Sequence, residues 1–183
     1  MTLQAIFGLQ FILTLTVLGV LASWYLVPLL RDKPMPVALG LLILPHTFRH
    51  IGMSFLVPGL TSDALPTGFA NAAAYGDLTS GLLAIVAVVA LRHQWRLAIP
   101  IAWVFSVVGT TDLIYALSHE SAIPHLGTAW LIPTFIVPGL LVSHGLIFVR
   151  LVVHARQART SNKDLRLPPP PAVSELRQRM PGV

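Results

Sequence analysis

The sequence predicts an all-α integral membrane protein, a bundle of five transmembrane helices with kinks in helices 2 and 5, and three observations lead there. Of 183 residues, 55% are hydrophobic and only 10% charged, which is more apolar surface than a water-soluble domain of this size hides in one core. The apolar residues are gathered into continuous runs at about 5–30, 37–59, 69–91, 97–117 and 127–153, each near the roughly 20 residues that a helix needs to cross a bilayer. These runs are rich in Leu, Ala and Val and lack the short alternation of a membrane β-strand.

The first run has no Lys or Arg before it and is too long for the apolar core of a secretory signal, so it reads as a retained helix. The second contains Pro45, which removes one backbone hydrogen bond and frees the carbonyl of Leu41, and it holds His46, Arg49 and His50. In the third, Ala73, Asp77, Gly81, Ala84 and Ala87 recur at helical spacing, a stripe of small side chains around one carboxylate. The fourth repeats the arrangement with Ala102, Ser106, Gly109, Asp112 and Ala116. Pro133 and Pro138 interrupt the fifth, where Gly139 and Gly145 add freedom. Residues 1–154 therefore read as the transmembrane bundle. Residues 155–183, basic and containing Pro168 to Pro171, read as a disordered cytoplasmic tail.

Charge sets the expected orientation. Arg31 and Lys33 follow the first run, Arg92 and Arg96 the third, and Arg150, Arg156, Arg159, Lys163 and Arg166 the end of the fifth, whereas the other two loops hold no Lys or Arg. The positive-inside rule then places the N-terminus outside and the C-terminus in the cytoplasm. Trp24, Tyr25 and Trp95 at one boundary and Trp130 at the other fit interfacial anchors. The formal charge of +5 comes largely from the tail. Its expected partner is anionic lipid, worth about 1 kcal/mol per charge near the surface, and nucleic acid is not expected.

Helical rise, about 1.5 Å per residue, puts Arg49, His50, Asp77 and Asp112 at one level in the outer half of the membrane. An unpaired charge there costs at least about 2.5 to 3.5 kcal/mol, so the four groups are expected to pair. Spacing puts His46, Arg49, His50 and Met53 on one helical face, with Arg49 forked onto one carboxylate and His50 left for the other. Such a layer suits binding or movement of a proton, small cation or small polar solute, with Tyr75, Thr110, Thr111 and Tyr115 on its outward side. A closed salt-bridge network that only fixes helix register explains the same residues.

Two rival readings stay open. His46 and His144 are the one geometrically reasonable axial pair for a b-type haem, which would make the chain an electron-transfer subunit. A non-catalytic accessory or assembly protein, acting as a homo-oligomer or within a larger membrane complex, is the other. The string from His46 to His50 is similar to one histidine box of membrane di-iron hydroxylases, but the further boxes are absent and Arg49 would repel a metal, so no metal site is expected. With no cysteine there is no disulfide or thiolate site. Lys33 and Lys163 fall outside the runs, which excludes a retinal Schiff base. No phosphate loop and no Ser-His-Asp order with an oxyanion element occurs, so nothing points to an enzyme.

Pro-His-x-x-Arg-His-x-Gly at 45–52, Ala-Tyr-Gly-Asp at 74–77, Gly-Thr-x-Asp-Leu at 109–113 and Pro-x-Phe-x-Val-Pro at 133–138 together give the chain a resemblance to a group of small, uncharacterised, multi-pass bacterial inner-membrane proteins. The resemblance covers the helical body and not the tail. It implies a bacterial origin and carries no activity with it.

Overall fold

Helices account for the fold in the computed structural model, which describes residues 1–164, with side chains to 160. Among them there is no strand beyond a single bridge between Pro58 and Thr61. The helices are α1 (Leu3–Leu21), α2 (Val27–Arg31), α3 (Met35–Ile43), α4 (Thr67–Arg92), α5 (Ala98–Leu117) and α6 (Val137–Asp164). Four helical stretches are long and apolar enough to cross a membrane: Leu3–Arg31, Thr67–Arg92, Ala98–Leu117 and Gly127–Thr160. The chain divides into two compact units, Met1–Leu151 and the remainder from Val152. Of the residues read as a tail, those from 155 to 164 belong to α6, and 165–183 lie outside the described residues.

Proline explains most departures from regular helix. Pro28 has no N–H for the carbonyl four residues back, and a π-helical turn over Ala22–Leu26 takes up the defect between α1 and α2. Pro138 does the same before α6, where a π turn spans Ile132–Ile136. Pro45 has a larger effect: α3 stops at Ile43 and the chain continues as a 3₁₀ helix over Leu44–Leu56. In that winding the missing N–H of Pro45 orphans the carbonyl of Leu42, three residues back, instead of Leu41. The Ser143 hydroxyl of α6 donates to it at 2.7 Å.

Winding also decides which side chains turn inward. A 3₁₀ helix has about 3.0 residues per turn against about 3.6 in an α-helix, so every third residue shares a face, and His46, Arg49, Gly52 and Phe55 are the buried ones. His50, four residues from His46, faces outward.

Two apolar clusters stack along the bundle. Toward the end carrying Arg31, Arg92 and Arg96, the first is built from Leu30, Ala38, Leu39, Leu42, Ile43, Ala84, Ala87, Ala102, Phe105, Ile147 and neighbours. The second, toward the far end, gathers Phe55, Phe69, Ala73, Leu113, Leu126, Ile132 and Val137. Far-end loops are tied to each other by Thr128 N–H to Leu60 O at 2.9 Å and Ser62 N–H to His125 O at 3.0 Å. Gly127, at φ +54°, is required there, because a Cβ would lie 2.6 Å from Leu60 O. At the basic end Arg150 donates to Leu30 O at 2.6 Å, satisfying a carbonyl in the last turn of α2. The first of the four long apolar stretches is peripheral, and Leu30 is its one buried residue. Phe7 meets Trp130 edge to face, and Trp130 donates to Gln10 at 2.7 Å.

Candidate functional site

Between the two clusters a single guanidinium joins three elements. Arg49 comes from the 3₁₀ segment, and its side chain is 1% exposed. Its Nε donates to Asp77 Oδ1 of α4 at 2.7 Å, its Nη1 to the carbonyl of Gly109 in α5 at 3.0 Å, and its Nη2 to Asp112 Oδ2 of α5. Removing such a charge from its partners is costly, whereas three aligned acceptors satisfy it. Arg49, Asp77 and Asp112, read from sequence as one layer, are in direct contact.

The expected role of His50 is corrected. Arg49 takes both carboxylates, and His50 points to the exterior, its Nδ1 3.2 Å from its own helix carbonyl, Thr47 O. The cause is the period: an α-helix would leave His50 about 40° from His46, while 3₁₀ winding turns it through about 120°.

Glycine makes room for the charges. A Cβ at Gly52 would overlap the carboxylate of Asp77, and one at Gly76 would overlap that of Asp112. At Gly109 a Cβ would sit 2.9 Å from His144 Nε2 and 3.0 Å from Arg49 Nη1. Gly81 lets the 3₁₀ backbone approach α4, with His50 N at 3.5 Å from its Cβ position. Gly109 and Gly81 belong to the small-residue stripes seen in the sequence. The fit of Gly52 and Gly76 to the two carboxylates carried no sequence signal beyond its neighbours.

With both aspartates ionised the centre holds two negative charges and one positive. Each carboxylate gives one oxygen to Arg49, and no hydrogen bond reaches Asp77 Oδ2 or Asp112 Oδ1 among the described residues. Asp77 is nine-tenths buried. Both carboxylates border a narrow cleft of about 40 Å³ at the far-end side, walled by Phe7, Phe55, Phe69 and Leu113 and reached by His119. Arg49 and Asp77 also border a second cleft of about 50 Å³ with Pro45 and Ile136. Asp112 further lines an open groove of about 540 Å³ between α4 and α5, with Tyr75, Thr111 and Tyr115. Tyr75 and Thr111 thus stand on the exterior side of Asp112; the Thr110 hydroxyl is buried without a partner.

On the basic side of Arg49 lie His46 and His144, 0% and 1% exposed. Their ring centroids are 4.3 Å apart and Phe105 packs on both, at 5.1 and 5.2 Å. None of their four ring nitrogens has a hydrogen-bond partner, nor do the buried hydroxyls of Ser80 and Ser106. Buried polar groups are usually paired, so these orphaned nitrogens are an unusual feature of the interior. A haem held between two axial imidazoles needs them separated by the macrocycle. Here the rings touch each other and Phe105, an arrangement that does not fit that group. No set of three or more potential metal-ligating His, Asp or Glu side chains forms among the described residues.

Comparison with the curated proteins and with the solved structures gives no match. Residues 6–152 match the family model described as a domain of unknown function, DUF8737, and the chain belongs to that family.

Proposed function

We propose that this is a five-span protein of a bacterial inner membrane, N-terminus outside and C-terminus in the cytoplasm, that binds or moves a proton, small cation or small polar solute at the Arg49, Asp77 and Asp112 centre. The observation that carries the reading is the excess carboxylate: one guanidinium serves two aspartates, and the two oxygens left over border clefts. A net negative centre in a low-dielectric interior recruits a positive charge. Protonation of one carboxylate is the simplest way to supply it.

Length supports counting the second run as a span. Nine α-helical residues at about 1.5 Å and thirteen 3₁₀ residues at about 2.0 Å reach roughly 40 Å, beyond the roughly 30 Å of hydrocarbon in a bilayer. The basic residues at one end of the bundle support the orientation, and the basic tail is assigned to anionic lipid, not nucleic acid. A homo-oligomer or a place in a larger membrane complex is compatible with the exposed apolar helix faces.

Reconstitution into liposomes with an internal pH indicator tests the reading. Proton or cation flux is expected from the full chain and is expected to vanish in Asp112→Asn. Flux that is unchanged by both Asp112→Asn and Asp77→Asn overturns it. The haem reading keeps one supporting observation, the orphaned nitrogens of His46 and His144, against the ring contact that opposes it; a Soret band in the purified protein, lost in His144→Ala, would restore it. Folded protein with neither flux nor colour would favour the accessory role.

A further inference from the structure

Asp112 is where the charged centre meets the outside of the bundle, and we propose that the groove it opens into takes an amphiphilic organic monocation, an alkylammonium whose head pairs with Asp112 and whose chain lies along α4 and α5. The inference rests on reading the Arg49 centre as a cation site and names the class of cation.

Three observations converge on it. Gly76 lets the Asp112 carboxylate lie at the floor of the groove, since any Cβ there would overlap it. The oxygen facing Gly76, Oδ1, is the one without a hydrogen bond, while Oδ2 is spent on Arg49. Asp77 Oδ2, equally without a hydrogen bond, adds to the same negative field behind it. A single positive charge at this point balances the centre.

The surroundings select the rest of the ligand. Tyr75 and Tyr115 stand at the groove 56% and 50% exposed, two aromatic rings suited to an ammonium by cation–π attraction. Val107 and Val108 form its apolar wall, and the Thr79 hydroxyl is already spent on Tyr75 O at 2.8 Å. Besides Asp112, the groove offers the Thr111 hydroxyl and the two phenols, fewer oxygens than the roughly six that a hard inorganic cation takes, whereas an alkyl chain needs none. The face is apolar beyond the groove, with Leu82 and Ile114 exposed, so in a bilayer it is open sideways to lipid. A second copy of the chain is a poorer occupant, because a two-fold contact here would bring two negative centres together.

The test uses the full chain in phosphatidylcholine nanodiscs with radiolabelled dodecylammonium, and dodecanol as the uncharged analogue. Saturable binding near one per chain is expected. Dodecanol should bind at least about tenfold more weakly, and Asp112→Asn should cost dodecylammonium a similar factor, because a hydrogen bond to a charged group is worth on that order. Val108→Trp, which fills the groove and leaves every charge in place, should abolish binding and carries the test if Asp112→Asn fails to fold. Equal binding of dodecanol, or binding indifferent to both substitutions, overturns the inference, as does cross-linking of two copies through Tyr115. If dodecylammonium fails while Asp112-dependent proton flux persists, the present inference falls and the broader cation reading stands; if flux is indifferent to both Asp112→Asn and Asp77→Asn, the broader reading falls first.

Discussion

The two apolar clusters are made differently, and the charged centre sits on the seam between them. Toward the basic end the packing is alanine-rich, and Ala84, Ala87, Ala102, Phe105 and Ile147 are all 0% exposed. Toward the far end the cluster sets Phe55, Phe69 and Ile132, 6 to 8% exposed, beside Ala70, Ala73, Ala122 and Ala129, and a cleft runs through it to Asp77 and Asp112. Lipid is as apolar as a leucine side chain, so helices associate in a membrane through close contact and not through exclusion from water. Small residues give that contact at one end. At the other, large rings leave gaps, and the gaps lead to charge. The difference assigns adhesion to the first region and access to the second: a cleft reaches the centre from the far end, and the groove over Asp112 reaches it from the side.

Several substitutions break or sharpen this contrast. Arg49→Ala leaves two buried carboxylates facing each other and is expected to cost about 3 to 5 kcal/mol, read as unfolding in a denaturant titration of the detergent-solubilised protein; Arg49→Lys should recover only part, since an ammonium lacks the planar fork that spans both aspartates. Ala84→Val intrudes on the sealed cluster and should cost about 1 to 3 kcal/mol. The same change at Ala73, which borders the cleft, should cost clearly less, and equal losses would remove the distinction between the two regions. Ser143→Ala abandons the Leu42 carbonyl and should cost about 0.6 kcal/mol, the average for hydrogen bonds inside membranes. His50→Ala should stay within about 0.5 kcal/mol, as exposed substitutions do, with flux equal to the parent; a loss of flux would return His50 to the centre.

Much of the centre was legible in the sequence, because charge in an apolar run is expensive and depth follows from counting residues. Arg49, Asp77 and Asp112 were matched by level alone, and the glycines and alanines around both aspartates marked the faces that turn inward. What misled was the assumed period. Runs of 3₁₀ helix beyond three or four residues are uncommon, so a thirteen-residue one is a poor expectation, and an α-helical reading put His50 inside. A three-residue signal was nonetheless present: Ile43, His46, Arg49, Gly52 and Phe55 recur at that interval, and all five are buried. Pro45 could have hinted at the transition. That His46 and His144 oppose each other was legible as a possible axial pair, but their direct ring contact was not, since depth says nothing of the angle at which their helices meet.

Thirteen residues wound at about 2.0 Å per residue stand some 26 Å tall, and as an α-helix the same residues would stand about 20 Å. Rewinding would therefore act as a screw: it would shorten the strut by more than one α-helical pitch while rotating the imidazole of His50 toward the carboxylates that Arg49 now occupies. In such a rewinding, the length of this segment along its own axis and the cation facing Asp77 would change together.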